Sequence, residues 1–179
     1  MNIVVDDKSL DIVSSLEKLK TVAPVVLIPN TQSYVDWIII SYLFYQLNLP
    51  VPFVASDQKY GWKFIQKVLR YGGGFFLGKR EKENKNIYNA IIAEYLEQLL
   101  NEKPYLQFFI EASRSRTGKI GQAKHVILKY LTDFYFDKKF DNIYLVPITI
   151  SYDNVIGVGS LSKEITGDNK IKASFRRTY

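Results

Sequence analysis

Apolar residues in this chain follow two alternating patterns, one with helical spacing and one of short continuous runs. An apolar residue at every third or fourth position predicts an amphipathic helix, whereas a short β-branched or aromatic run predicts a buried strand. Helices are predicted at Leu10–Leu19, from Ser33 to about Leu47, at Tyr60–Tyr71, at Asn86–Leu100 and from about Gln122 to Tyr135. Strands are predicted at Val25–Ile28, Pro52–Ala55, Phe75–Leu77, Leu106–Ile110 and Ile143–Ile150.

This alternation predicts the fold class. Strands separated by helices favour a single α/β domain over residues 1–179, with a mostly parallel central sheet flanked by helices. Such sheets bind ligands beyond the carboxyl ends of their strands. The polar loops expected at that edge are Asn30–Ser33, Gly78–Lys82 and Glu111–Lys119.

Three local signals refine the predicted elements. Ser33 is placed to cap the second helix, because a serine hydroxyl can accept a bond from a free amide of the first turn. The glycines Gly72–Gly74 end the third helix. Pro147 cannot donate a ladder hydrogen bond, so it indicates an edge or bulge position in the last strand.

Composition narrows the chemistry. The chain of 179 residues contains no cysteine, which excludes a disulfide framework, a thiolate zinc site and a cysteine nucleophile. Its net charge of +6 favours anionic partners, although ordinary solubility explains the excess equally well. The most apolar stretch, Trp37–Leu47, is too short and too interrupted to span a membrane, so membrane contact is expected to be peripheral or to come from other parts of the protein.

The segment with the most specific chemistry is Phe108–Lys119. A predicted buried strand ends there in a loop that holds Glu111, Arg114, Arg116 and Lys119. A guanidinium group offers a planar fork of donors that matches phosphate oxygens. A basic pair at the end of a buried strand therefore indicates a phosphate site rather than a solvated turn.

Three further segments contribute weaker signals. In Gly72–Arg80, glycines precede Lys79 and Arg80, but the spacing fits neither a P-loop nor a dinucleotide fingerprint. In Pro29–Trp37, the carboxylate of Asp36 follows a polar loop, where it can orient a partner in that loop or simply favour the positive helix start. By itself, the fourth segment predicts only a core strand; it is Leu145–Asp153.

Together, and in this order, the four segments resemble the four motif blocks of the glycerol-3-phosphate and dihydroxyacetone-phosphate acyltransferases. The resemblance is closest to the dihydroxyacetone-phosphate branch, which Leu47–Pro52 and Tyr144–Asp153 match almost verbatim. The motif core spans residues 24–153. Because members of this family are usually longer, the chain is compatible with a fragment of a larger protein.

The resemblance implies a role for each motif. The first family motif is His-x-x-x-x-Asp, in which the histidine deprotonates the substrate hydroxyl that attacks an acyl thioester, and the aspartate orients the histidine. Asp36 matches that aspartate, and Gly73 matches the opening glycine of the second motif. Val146 and Pro147 match the fourth motif, on the acyl-donor side. The residues implied in binding the substrate phosphate are Lys79, Arg80, Glu111, Arg114, Arg116 and Lys119.

The chain departs from the family pattern at its most important position. Thr31 stands where the family has its histidine, and a threonine hydroxyl is not a base near neutral pH. Losing a general base typically costs about 10²–10⁴ in rate. His125 is the only histidine, and it is expected to be a helix-surface or half-buried residue without a catalytic role. The lesser departures are Gln32 and Lys79 at usual arginine positions and Ala112 and Ser113 at usual glycine or threonine positions.

These residues lead to one expected function and one alternative. The resemblance implies transfer of a fatty acyl group from acyl-CoA to glycerol 3-phosphate or dihydroxyacetone phosphate, impaired by the missing base. The alternative is an inactive homologue that acts as a scaffold or regulator in lipid metabolism. Neither a cofactor nor a metal is expected, since acyl-CoA is a co-substrate. The resemblance also implies an intracellular protein at a membrane surface, with peroxisomal and mitochondrial membranes both compatible.

Nucleic acid is not expected as a partner. Aromatic residues make up 15% of the chain, but Tyr and Phe mostly follow the periodicity of core positions. A nucleic-acid interface would instead need aromatics interleaved with a basic face.

Overall fold

The computed structural model describes residues 3–19, 21–33, 35–57, 67, 69–77, 85–102, 105–111 and 121–153. Its helices are α1 (Asp7–Leu19), α2 (Asp36–Gln46), α3 (Lys85–Glu102) and α4 (Val126–Phe136). Its strands are β1 (Val25–Pro29), β2 (Phe53–Asp57), β3 (Gly74–Leu77), β4 (Tyr105–Phe108) and β5 (Tyr144–Ile148). The alternation of strands and helices confirms the predicted α/β class.

The strands form one sheet in the order β3-β2-β4-β1-β5. Every pairing in it is parallel. The run Val25–Leu27 in β1 is completely buried, as expected for an inner strand covered on both faces. The strand β5 lies at an edge, which confirms the position that Pro147 predicted. All carboxyl ends point to one edge of the sheet, where β1 ends between β4 and β5.

Helices cover both faces of the sheet. On one face, α1 and α2 pack against alternate residues of β1 and β4; the buried core there contains Leu16, Val25, Leu27, Ile40, Phe44, Leu49 and Tyr105. On the other face, α3 and α4 pack over a core that contains Val26, Ala55, Phe75, Leu96, Leu99, Leu100, Leu106, Phe108, Ile127, Leu131 and Phe134. Among the helices described, none combines the length and apolar character needed to cross a membrane.

The end of β4 and the start of α4 differ from the prediction for one reason. The strand β4 ends at Phe108 rather than Ile110, and α4 begins at Val126 rather than near Gln122. The backbone N–H of Lys124 donates to the carbonyl of Ile110 at 2.7 Å. These two backbone groups therefore bond each other instead of extending the strand or the helix. Of the helix predicted at Tyr60–Tyr71, residues 67 and 69–71 are helical and the remainder lies outside the described residues.

The glycines before β3 are required by geometry. Gly73 has a φ of +85°, in the left-handed region that side chains disfavour. A Cβ at Gly74 would lie 2.8 Å from the carbonyl oxygen of Leu69, too close for any side chain. The two glycines therefore let the chain reverse directly from helix into strand, as the sequence predicted for Gly72–Gly74.

One buried side chain conflicts with its surroundings. Gln107 in β4 has no solvent exposure, and within the described part of the chain neither its amide nitrogen nor its amide oxygen has a hydrogen-bond partner. We expect Gln107→Met, which keeps the shape and removes the polar atoms, to raise the free energy of unfolding by about 1–2 kcal/mol. Urea denaturation measures this. The control is Gln98→Met, at an exposed position of α3. Its free energy of unfolding is expected to stay within about 0.5 kcal/mol of wild type. A destabilised Gln107→Met would instead show that the amide has a partner in solution.

Candidate active site

The candidate site lies where β1 and β5 end side by side. Beyond both strands, the Asn30 side chain continues their pairing. Its Nδ2 donates to the carbonyl of Ile150 at 3.0 Å, and its Oδ1 accepts from the backbone N–H of Ile150 at 2.8 Å. The backbone N–H of Asn30 also donates to the carbonyl of Ile148 at 3.1 Å. The loop after β1 is therefore fixed to the segment after β5.

Asp36, the first residue of α2, is completely buried at this edge. Its Oδ2 accepts the backbone N–H groups of Gln32 at 2.7 Å and of Ser33 at 2.8 Å. Its Oδ1 accepts a short hydrogen bond from the hydroxyl of Tyr152. The carboxylate is thus held by three donors, which is how a protein offsets the cost of burying a charge.

The prediction that Ser33 caps α2 is wrong. Val35 occupies the N-cap position, and no side chain bonds there. The helix begins later than predicted, so Ser33 lies two residues before the N-cap. Its backbone N–H donates to the carboxylate of Asp36, which reaches back from the first turn. The hydroxyl of Tyr152 donates to the same carboxylate, so Asp36 joins the loop after β1 to the segment after β5.

The surroundings of Tyr152 keep its phenol protonated. Burial raises the pKa of Tyr152 well above its ordinary value, and the hydrogen bond to Asp36 and the charge of Asp36 raise it further. The neighbouring Ser33 side chain lowers the pKa of Tyr152, but its effect is the smallest of these. Tyr152 is therefore a hydrogen-bond donor across the physiological pH range and cannot serve as a base.

Thr31 lies in the same loop, between Asn30 and the two amides that bind Asp36. Its Oγ1 is buried and has no hydrogen-bond partner among the described residues. The Thr31 hydroxyl therefore makes no hydrogen bond to Asp36. His125 is the exposed residue that precedes α4, and its side chain makes no capping bond there.

Comparison with known proteins agrees with the motif order. A family model named Acyltransferase matches residues 12–151, which is most of the chain. The chain belongs to the acyltransferase family. The match contains β1 to β5 and the site residues described above except Tyr152, which follows its last matched residue. The predicted resemblance is confirmed at this level.

Individual relatives point to the same branch of the family. A dihydroxyacetone phosphate acyltransferase from Oryctolagus cuniculus is 37% identical over 153 residues, which is 84% of this chain and 22% of that protein. The protein of the same name from Homo sapiens is 36% identical over the same length. A glycerol-3-phosphate acyltransferase from Xanthomonas axonopodis pv. citri (strain 306) is 31% identical over 166 residues, or 91% of this chain and 19% of that protein. The chain thus spans about a fifth of the length of these relatives.

The predicted phosphate site is only partly within the described residues of this acyltransferase domain. Glu111 follows β4 and is buried, with 6% of its surface exposed. Gly121 lies against it, since a Cβ at Gly121 would be 3.9 Å from Oε2 of Glu111. The other predicted residues, which are Lys79, Arg80, Arg114, Arg116 and Lys119, lie outside the described residues. Their role in binding phosphate stays a prediction.

The two residues predicted on the acyl-donor side point in opposite directions. Val146 packs against the core under α1 and α2, whereas Pro147 is exposed. Successive residues of a strand face opposite sides of a sheet, so the two side chains cannot line one surface. If this strand borders the acyl donor, Pro147 is the one whose side chain is accessible.

Two residues of the site were not predicted from sequence. Asn30 and Tyr152 were both within segments that the motif comparison singled out, but neither was given a role. Their partners are 120 and 116 residues away in the chain. The signal that could have found them is the pairing of β1 with β5, which places the residues that follow the two strands next to each other.

The raised pKa of Tyr152 predicts a pH dependence of stability. The folded state holds this proton to higher pH than the unfolded state, whose tyrosines titrate near pH 10. The associated stability is therefore complete below about pH 10 and is lost as pH rises beyond it. We expect the free energy of unfolding to fall less steeply between about pH 9 and 11 in Tyr152→Phe than in wild type, as measured by urea denaturation.

Tyr105 provides a comparison in the same experiment. Burial, and after it the charge of Glu17, raises the pKa of Tyr105. Tyr105→Phe should therefore also flatten the decline, and the double variant should be flatter than either single one. Identical slopes for wild type and Tyr152→Phe would show that the Tyr152 proton is bound equally in the folded and unfolded states.

Proposed function

We propose that this acyltransferase domain binds acyl-CoA together with glycerol 3-phosphate or dihydroxyacetone phosphate, and that it transfers the acyl group slowly or not at all. The acceptor class is supported by the names of its relatives, which are dihydroxyacetone phosphate and glycerol-3-phosphate acyltransferases. It is also supported by the net charge of +6, which suits two anionic ligands.

The proposed reaction requires a proton acceptor. The acceptor hydroxyl attacks the thioester carbonyl, its O–H proton must leave, and the C–S bond breaks to release the thiol of coenzyme A with a proton. The family resemblance gives the first proton to a histidine at the position of Thr31. A threonine hydroxyl cannot take it near neutral pH, so the step would be slower by about 10²–10⁴.

The contacts of Asp36 carry the proposal. In the described part of the chain its carboxylate is bonded by the amides of Gln32 and Ser33 and by the phenol of Tyr152. All three are donors, and none is a base at neutral pH. The carboxylate that would orient a base is kept in place, but the group that it would orient is missing.

Binding is expected to persist because it depends on other residues. Arg114, Arg116 and Lys119 lie outside the described residues, but in the sequence they follow β4, the strand next to β1, so we expect their loop at the edge that Asp36 occupies. Parallel α/β sheets bind ligands at this edge. Two guanidinium groups and a carboxylate are suited to a phosphorylated alcohol, since guanidinium groups bind phosphate and a carboxylate accepts hydrogen bonds from hydroxyl groups.

The test separates binding from turnover in the purified full chain. We expect calorimetry to detect glycerol 3-phosphate or dihydroxyacetone phosphate, and Arg116→Ala to weaken the affinity about tenfold or more, as for a charge-assisted bond. Lys138→Ala is the control, since Lys138 is an exposed cation after α4. Product formation from labelled acyl-CoA should stay near the level without protein. Turnover well above that level, or equal binding by wild type and Arg116→Ala, would contradict the proposal.

The alternative role as a scaffold or regulator makes the same binding prediction, because an inactive homologue can keep its ligand site. The two differ in what a base at position 31 would do. A domain that retains the rest of the catalytic site should gain activity when the base is supplied, whereas a domain that has become only a scaffold should not.

A further inference from the structure

Two sets of hydrogen bonds join the loop after β1 to the segment after β5. The first is made by the Asn30 side chain, which bonds both the N–H and the carbonyl of Ile150. The second is the bond that the hydroxyl of Tyr152 donates to the carboxylate of Asp36. We call these four residues the clasp. It connects the first motif of the acyltransferase domain to the fourth.

Within the clasp, Tyr152 determines how the Asp36 carboxylate is oriented. Each carboxylate oxygen has about two acceptor sites. The two sites on Oδ2 are filled by the amides of Gln32 and Ser33, and one site on Oδ1 is filled by Tyr152. Without such bonds, the terminal torsion angle of an aspartate side chain takes a broad range of values. With a donor on each oxygen, the plane of the carboxylate is fixed, and no second donor to Oδ1 occurs among the described residues.

We propose that Tyr152 is a positioning residue of the acyltransferase site, which holds the Asp36 carboxylate in the orientation needed to accept a proton-bearing group at position 31. This inference rests on the proposed function, because the orientation of Asp36 matters for acyl transfer only if the family chemistry applies. Tyr152 acts through Asp36 and needs no contact with substrate.

The structure offers a matched control for removing this hydroxyl. Tyr130 in α4 is also partly buried, and its hydroxyl bonds the side chain of Asn89 at 3.1 Å. Tyr130 and Asn89 lie in the helices α4 and α3, on the face of the sheet opposite to α2. Tyr130→Phe therefore removes a comparable bond at a comparable depth without touching the clasp.

The first readout is independent of catalysis. Amide hydrogen exchange of Gln32 and Ser33 reports how often their bonds to Asp36 open. Loss of one hydrogen bond to a charged group should speed their exchange about tenfold in Tyr152→Phe and leave it unchanged in Tyr130→Phe. Equal exchange rates in wild type and Tyr152→Phe would overturn the inference, whatever the activity of the protein.

The second readout uses a chain with a base. In the Thr31→His background, adding Tyr152→Phe should lower kcat about tenfold and leave KM for the acceptor within about twofold. It should also move the acid limb of the pH–rate profile to higher pH, because Asp36 without its tyrosine donor attracts the imidazolium proton more strongly. Adding Tyr130→Phe should do neither. An unchanged kcat and pH profile in Thr31→His/Tyr152→Phe would overturn the inference.

The two proposals can fail separately. If Thr31→His gains no activity, the catalytic part of the proposed function fails, and the exchange rates of Gln32 and Ser33 still decide the role of Tyr152. If Thr31→His is active and insensitive to Tyr152→Phe, the proposed function stands and the positioning role is wrong.

Discussion

Thr31→His is expected to raise the rate of acyl transfer by about 10²–10⁴, which is the usual contribution of a general base. The physical reason is that a neutral imidazole accepts the hydroxyl proton that a threonine cannot. Asp36 is already buried and is held by three hydrogen-bond donors among the described residues. The measurement is the steady-state rate of acyl transfer from acyl-CoA to glycerol 3-phosphate or dihydroxyacetone phosphate.

Three comparisons make this prediction specific. The rate of Thr31→His should rise with pH through about 6.5, the ordinary pKa of histidine, because only the neutral ring is a base. Thr132→His adds a histidine at an exposed position of α4 and should gain nothing. Thr31→His/Asp36→Asn should lose most of the gain. A folded Thr31→His that is as slow as wild type would show that the missing base does not limit the reaction.

The sequence predicted the type of every element because the two apolar patterns differ clearly. In β1 the run Val25–Leu27 is buried throughout, and such a run without alternation is typical of an inner parallel strand. Element ends were less predictable. Residues near Ile110 and Lys124 fit a strand and a helix by pattern, but their backbone groups bond each other across the loop. Hydrogen bonds between distant segments determine where these elements end, and such bonds cannot be predicted from the propensities of neighbouring residues.

In the candidate site too, contacts between residues far apart in the chain could not be predicted from the sequence. The motif order was enough to predict the family and to single out Asp36, because both depend on residues close in the chain. The bond between Asp36 and Tyr152 joins residues 116 positions apart and exists only because β5 lies beside β1. Strand order is a property of the whole sheet. The predicted cap at Ser33 failed because α2 begins later, at Asp36, with Val35 as its N-cap.

Asp36→Ala is expected to lower the free energy of unfolding by about 3–5 kcal/mol, the cost of removing one partner from a buried, charged hydrogen-bonded group. The variant leaves the amides of Gln32 and Ser33 and the phenol of Tyr152 without their acceptor. It also leaves a small cavity at a position with no solvent exposure. Urea denaturation at neutral pH measures the effect, and it should appear as a lower midpoint with an unchanged slope.

Asp36→Asn is the matched control for this stability effect, because it keeps the shape of the side chain and one oxygen. That oxygen can still accept the amides of Gln32 and Ser33, and the Tyr152 hydroxyl can turn to accept from the new amide nitrogen. The expected loss is therefore smaller, about 1–2 kcal/mol, and reflects the exchange of charged bonds for neutral ones. If Asp36→Ala cost less than about 1 kcal/mol, the carboxylate could not be what holds this loop. If both variants cost the same, charge rather than hydrogen-bond geometry would determine the stability of the site.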